Sequence, residues 1–491
     1  MSSAPDYYMI MGVAPDADSE SIRIAYRNMA RRLHPDVNHN PGAATQFRDV
    51  TSAYAVLNDP IERQKYDMSR RREIGGNYFT MRVTSSQRSL ALLDEPQVLY
   101  LLVEMLPERA RNAQQLETYL NLTLVLDHST SMKGSRLERV KVAANQIIEN
   151  LNEKDIFSIV AFSDAAEAIV RAAPLSDKPG AKARVAIMQA FGGTEIHQGL
   201  EAGMAENRRH ASKRYVNHII LLTDGRTFHD EQQTLELAER AAKEGVGISA
   251  MGIGDEWNDT FLDQLASRTG GTSEYINSPL AVVRFLNERV RTLGQSYAER
   301  ITVSIAPDSD IKVESAFRLQ PSPQPMNAES DPVPLGALQI GGATSVLFQL
   351  QVSPLTNLGP RTLARVDVTG DILREQKIGY KVIRDMDTEV KESQTLEEPP
   401  LPIMDALNKL TMYRMQERAE HALARGDVRE ATKHLKNLAT RLFSAGQNDL
   451  GQAALDEAQR VSSTHALSGE GQKALKYGTR LLIAPTSSAA E

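Results

Sequence analysis

The sequence predicts a multidomain chain. Its parts are an α-helical N-terminal unit, an α/β doubly wound (Rossmann-like) domain, a small antiparallel β unit and a C-terminal α-helical region. Three observations predict this. Apolar residues recur at steps of three and four over residues 1–71. Near-continuous apolar strands then alternate with helical segments over 118–297. Strand composition replaces helical periodicity over 298–385, and helical spacing returns over 402–480. A chain of 491 residues is also too long for a single core, which favours several domains.

The first unit is justified by its helices. In DADSESIRIAYRNMARRLHPD, Asp18 or Ser19 is a candidate N-cap, and Ile22, Tyr26, Met29 and Leu33 form one apolar stripe. Arg23, Arg27, Arg31 and Arg32 lay a basic strip along the same helix. HPDVNHNPG, with Pro35 and Pro41, breaks it, and a second stripe follows with Phe47, Val50, Tyr54 and Leu57. The short helix IERQKYD closes an antiparallel helical hairpin. Residues 72–95, polar with Gly75 and Gly76, read as a linker, and 96–117 holds a strand (QVLYLLVEML) expected to join the β unit. Within 118–297 the order is strand NLTLVLD, helix, strands DIFSIVAFS and EAIVRAAP, two helices, strand HIILLTDG, helix, strand GVGISAMGIG and two further helices. This alternation points to a mostly parallel sheet covered on both faces. ITVSIAP, IKVESAFRL, TSVLFQLQV and TLARVDVTG build the β unit, a sandwich-like fold interrupted by a Pro-rich insertion. Residues 386–401 read as an acidic linker, 402–480 as a helix, a Gly-Asp turn, a second helix and further helical sequence, and 481–491 as a disordered tail.

Composition excludes several classes. Apolar content of 41% and charged content of 24% suit a globular chain, and a net charge of −7 offers no nucleic-acid footprint. No cysteine is present, which removes disulfides and thiolate metal sites. The N-terminus lacks a signal-peptide pattern, and no window approaches the roughly 20 apolar residues of a membrane span. A cytoplasmic location is expected. There is no GxxxxGK[ST] loop to cradle a nucleotide.

In doubly wound sheets ligands collect beyond the carboxyl ends of strands. DHSTSMKGS follows one strand, TDG ends another, and GGTE opens a helix between them. Together they offer Asp127, Ser129, Ser131, Thr194 and Asp224, all oxygen donors. Such a set suits Mg²⁺ or Mn²⁺ with retained water. The pattern resembles the metal-ion-dependent adhesion site (MIDAS) of von Willebrand factor type A (VWA) domains, over roughly residues 118–295. The resemblance implies that these five residues hold a divalent cation, whose open position takes an acidic residue of a protein partner. His128 and His197 lie nearby in sequence and are read as bystanders.

The loop His34-Pro35-Asp36, with DYY before it, AYR in the first long helix, FRDVTSAYAVLNDP and RQKYD, resembles a J domain over residues 5–70. The family implies that His34, Pro35 and Asp36 trigger a DnaK-type chaperone. It also implies that the basic helix, with Arg23, Arg27, Arg31 and Arg32, docks on an acidic surface. The Gly/Phe-rich and zinc regions of general DnaJ proteins are missing. The layout of 85–480, ending in KYGTR, is similar to certain bacterial stand-alone A-domain proteins.

The expected function is therefore a non-enzymatic co-chaperone adaptor. It stimulates a DnaK-type ATPase and binds a client through a metal-dependent VWA site. Two readings stand beside it. One is a VWA scaffold for complex assembly or signalling, beside an AAA-type ATPase, in which the J unit only docks. The other is a metal-dependent hydrolase, for which His197 is the candidate base.

Overall fold

The structure is a computed structural model, and it describes residues 6–73, 78–108, 118–225, 230–278, 281–373, 375–393 and 398–483. In chain order the first elements are α1 (Tyr7–Met11), α2 (Ser19–Leu33), α3 (Pro41–Leu57) and α4 (Pro60–Glu73). Strands β1 (Phe79–Ser85), β2 (Ser89–Ala91), β3 (Gln97–Pro107) and β4 (Tyr119–Asp127) follow. Next come α5 (Ser135–Asn150), β5 (Ile156–Phe162), β6 (Ala166–Pro174), α6 (Lys178–Ala186) and α7 (Ile196–Arg208). The middle of the chain continues with β7 (Tyr215–Thr223), α8 (Glu231–Glu244), β8 (Gly247–Ile253), α9 (Asp259–Ser267), β9 (Ser273–Ile276) and α10 (Ala281–Gly294). A run of strands follows: β10 (Ser296–Pro307), β11 (Ile311–Gln320), β12 (Gln324–Met326), β13 (Val333–Gln339), β14 (Thr344–Val352), β15 (Gly359–Ile372) and β16 (Lys377–Lys391). Helices α11 (Leu401–Ala424), α12 (Val428–Ser444), α13 (Asn448–Thr464) and α14 (Gly469–Ile483) end the described chain. Among the described residues no helix is long and apolar enough to cross a membrane.

The chain divides into two compact units. One takes in Met1–Leu116, Ser296–Arg318 and Pro325–Ile403. Its helices start as the sequence requires: Asp6 caps α1 through Tyr8 N and Met9 N, and Asp18 caps α2 through Ser21 N. Pro35 ends α2, because the residue before a proline is pushed out of the α region, and His34 is extended (φ −60°, ψ 132°). Pro41 then opens α3 at its first turn. The expected stripes meet, with Tyr26 stacked on Tyr54 at 4.0 Å over a core of Ile22, Leu33, Val50 and Leu57. The strands of this unit form two five-stranded sheets, β1-β3-β14-β11-β12 and β13-β10-β15-β16-β2, whose apolar residues share one core.

Several expectations need correction here. Residues 72–95 are not simply a linker: β1 pairs antiparallel with β3 from Phe79↔Pro107 to Ser85↔Leu101, and β2 pairs with β16. The β unit does not end at 385, because β16 runs to Lys391 and shortens the proposed 386–401 linker. Strand β3 joins the β unit as expected, paired with β14, while 109–117 lie outside the described residues. Helix α14 reaches Ile483, so the expected tail is helical to that point, and 484–491 lie outside the described residues.

The other unit takes in Glu117–Gln295, Leu319–Gln324 and Met404–Glu491. Its six-stranded sheet has the order β6-β5-β4-β7-β8-β9 and is parallel except for β6. Strand β4 is buried along nearly its whole length, as expected for a central parallel strand. The chain passes from β4 to β5 on one side and later to β7 on the other, so the topological switch point lies between β4 and β7. The four-residue strand β9, which follows Gly270 and Gly271, was not anticipated. Helix α14 is bound to α9 by a buried ionic cluster: Arg480 Nη2 lies 2.6 Å from Asp263 Oδ2, and Lys476 Nζ lies 2.9 Å from the same oxygen.

Candidate functional site

The three loops of the expected rim meet at the switch point. Strand β4 delivers Asp127, β7 delivers Asp224, and both carboxylates are fully buried. Asp127 Oδ1 accepts from Ser129 N at 2.8 Å, and its Oδ2 accepts from the Thr223 hydroxyl at 2.6 Å. The hydroxyls of Ser129 and Ser131 lie 3.0 Å apart, and Ser131 Oγ donates to Asp224 Oδ1 at 2.6 Å. Thr194 belongs to the same place: its Oγ1 lies 3.0 Å from where a Cβ on Gly225 would stand, against the Asp224-Gly225 turn. All five residues singled out by spacing are thus brought together. Burial raises the Asp127 carboxyl above its ordinary value, and the bonds from Ser129 and Thr223 oppose that shift.

Residues the sequence reading passed over hold the loops in place. Gly192 O accepts from both Thr130 N (3.1 Å) and Thr130 Oγ1 (2.9 Å). Asp164 Oδ1 takes Gly193 N at 2.7 Å, and Ser163 O takes Glu195 N at 2.9 Å, which fixes the turn carrying Thr194. Thr223 is the first letter of TDG, but neither its contact nor that of Asp164 can be read from spacing. Arg136, in the first turn of α5, pairs its guanidinium with Asp224 and reaches Ser131 O at 3.4 Å. His128 turns away, its Nδ1 2.8 Å from Gln189 O and its ring edge-on to Phe191. His197 gives its backbone N–H to Asp230 (2.8 Å), and its buried Nδ1 has no hydrogen-bond partner among the described residues.

The donor set fits a hard divalent ion: two carboxylates and three hydroxyls, with no nitrogen or sulfur among them. Among the described residues no group of three or more His, Cys, Asp or Glu side chains could hold a metal. Hydroxyl oxygens are therefore needed to complete any shell at this rim.

The second loop is built differently. His34, at the end of α2, retains 43% of its side-chain exposure and Asp36 retains 86%, and Pro35 is exposed. Within the tripeptide, Asp36 N donates to His34 Nδ1 at 3.2 Å, and the His34 ring packs edge-on to Phe47. Arg23, Arg27 and Arg31 are exposed along α2, the first two lightly paired with Glu20 at 3.7 Å. Arg32 departs from this strip, because its guanidinium is held 2.8 Å from Asp385 on β16.

Comparison with known proteins bears on the domains that carry these two loops. The DnaJ domain model matches residues 6–67, and the von Willebrand factor type A domain model matches 121–283. The chain carries a J domain and a VWA domain. A third model, the Sll0103-like C-terminal alpha-helical domain, matches 401–485. The uncharacterized protein sll0103 of Synechocystis sp. is 27% identical over 383 residues, spanning 76% of this chain and 90% of that protein. The chaperone protein DnaJ of Trichormus variabilis is 55% identical over 64 residues, and the matched J domain covers only 17% of its length. Among solved structures, a von Willebrand factor type A protein from Catenulispora acidiphila aligns with a TM-score of 0.63 at 17% identity, covering 83% of this chain and 98% of that one. The ArnB paralog VWA2 from Sulfolobus acidocaldarius aligns at 0.54 and 15% identity over the same shares. These two similarities speak for the VWA-containing fold alone.

Proposed function

We propose that the chain is a co-chaperone adaptor without catalysis of its own. Its J domain recruits a DnaK-type chaperone through the exposed His34-Pro35-Asp36 loop and the open part of the basic strip, and stimulates that partner's ATPase. Its VWA rim holds a protein client through a divalent cation, Mg²⁺ or Mn²⁺, gathered by Asp127, Ser129, Ser131, Thr194 and Asp224. When bound, the ion supplies a Lewis-acidic position for a carboxylate of the client. The chain's own residues orient the site: Thr223 holds Asp127, and Ser131 holds Asp224. Arg23, Arg27 and Arg31 steer encounter with an acidic chaperone surface, an effect on rate more than on affinity. The setting is the cytoplasm.

The observation that carries this reading is the contrast of exposure within one chain. The tripeptide stands open at the end of a basic helix, while at the rim Asp127, Ser129, Thr194 and Asp224 are buried and Ser131 alone of the five donors is exposed. Two assays test it. Mg²⁺-dependent capture of partners from lysate should be lost in Asp127→Ala. Equal capture by both proteins counts against the metal bridge.

A further inference from the structure

The J domain is seated on the β unit through the residues that follow its triggering loop. Asn38, only 1% exposed, donates from Nδ2 to Pro307 O at 2.8 Å, where β10 ends. Asn40 Nδ2 donates to Ile311 O at 3.0 Å, where β11 begins, and its backbone N–H binds Asn38 Oδ1 at 3.1 Å. Immediately after, α3 lies on the β10 backbone so closely that a Cβ on Gly42 would stand 2.0 Å from Ile305 O. Gln46, 2% exposed, reaches Ser304 Oγ (3.3 Å) and Arg365 O (3.2 Å). Arg365, equally buried, points its guanidinium the other way, to Met9 O at 3.4 Å and to Ile10 O at the end of α1. Asp49 with Lys381 (2.6 Å) and Arg32 with Asp385 (2.8 Å) close the margin. Ala306 and Ile383 of the β unit belong to the apolar cluster of the J domain.

We infer that the β unit is the seat that positions the chaperone-triggering loop, with Asn38, Asn40 and Gln46 as positioning residues. The loop is pinned on its far side by β-unit carbonyls, so its conformation depends on β10 and β11 as well as on the two helices it joins. The seat leaves the functional face open: Pro35, Asp36 and Val37 are exposed, as are Arg23, Arg27 and Arg31. Only Arg32 is withdrawn from the strip. A loop held in one conformation before docking avoids the ordering cost of binding, so the seat acts on chaperone affinity rather than on the triggering step itself. This inference rests on the co-chaperone reading for its effect on ATPase, but not for its effect on the loop.

The test uses the full chain and two variants. Gly42→Val drives a side chain into Ile305 O, and Asn40→Ala removes one anchor at a partly exposed position and spares the core. Amide hydrogen exchange over residues 34–40, measured without chaperone, should accelerate ~10-fold or more in both. Titration of a DnaK-type chaperone's steady-state ATPase should show the half-maximal concentration rising about 5- to 10-fold, with the plateau kept within about 2-fold. Unchanged exchange in both variants overturns the seat. Stronger stimulation by the variants also overturns it, because the β unit would then restrain the J domain. If the unaltered chain gives no stimulation, the co-chaperone reading fails, and exchange alone still decides whether the β unit holds the loop.

Discussion

The VWA rim and the J-domain loop were equally visible as short motifs, yet the fold treats them in opposite ways. At the rim, Asp127, Ser129, Thr194 and Asp224 are buried, and short hydrogen bonds run from Asp127 through Ser129 and the exposed Ser131 to Asp224. At the J loop, Pro35 and Asp36 are exposed and His34 is half-exposed, and the bonding lies behind them, in Asn38 and Asn40. On the proposed function, the difference follows from the ligand each would meet. A small ion is held only by oxygens placed beforehand at fixed separations, so the donors are built into the strand ends. A protein surface needs an exposed face with its own geometry held from the rear.

Mutation should expose this contrast, and the largest effect belongs to the rim. Asp127→Ala leaves the Ser129 N–H and the Thr223 hydroxyl without their acceptor, which should cost about 1–3 kcal/mol in the absence of metal. It should also abolish the rise in melting temperature on adding Mg²⁺, an effect worth about 2.7 kcal/mol for the unaltered chain at a hundredfold excess over Kd. Differential scanning fluorimetry with and without Mg²⁺ reads both. Thr223→Val is next. It keeps the shape and the carboxylates but frees Asp127 Oδ2, so Mg²⁺ affinity by calorimetry should fall about 10- to 100-fold. An unchanged affinity would mean that Asp127 needs no support.

A smaller, pH-dependent effect belongs behind the J loop. Asp331 lies in the seat, bonded to Thr45 and Ser304 and close to Asp367, and burial pushes its carboxyl up to about 6 from 3.8. A carboxyl raised on folding contributes stability in its protonated form. That contribution is complete below about pH 4 and is lost as pH rises through about 6, at most about 3 kcal/mol over the interval. The first unit should therefore melt lower at pH 7.5 than at pH 5, relative to Asp331→Asn, whose amide does not titrate. A pH dependence identical in the two proteins would remove Asp331 from the account. The smallest effect on stability should come from the loop itself. His34→Gln alters a half-exposed side chain, and its unfolding free energy should stay within about 0.5 kcal/mol of the unaltered chain. A larger loss would show that the tripeptide also carries structural load.

Legibility in the sequence ended where long-range pairing began. Asp127, Ser129, Ser131 and Asp224 could be singled out because their residue types follow the ends of apolar strands, which converge in this fold class, and Thr194 because it opens a helix in the loop between them. The break at Pro35 and the stripes of α2 and α3 could be read because both are local. The strands inside 72–95 could not, since FTMRVTS and SLA are short and polar-flanked, and SLA takes its partner from residues some 300 positions away. Arg32 makes the same point for side chains. Its spacing places it in the basic strip, but its partner, Asp385, is separated from it by 353 residues. Arg136 beside Asp224 was likewise beyond reach, because helical position says nothing about which loop the guanidinium will meet.

The central claim is that one chain carries two separate grips, one for a chaperone and one for a client. The most direct test is the steady-state ATPase rate of a DnaK-type chaperone titrated with the full chain, with His34→Gln and with Asp127→Ala. The account requires stimulation by the full chain, none by His34→Gln, and near-full stimulation by Asp127→Ala. Stimulation by His34→Gln equal to that of the unaltered chain would contradict it.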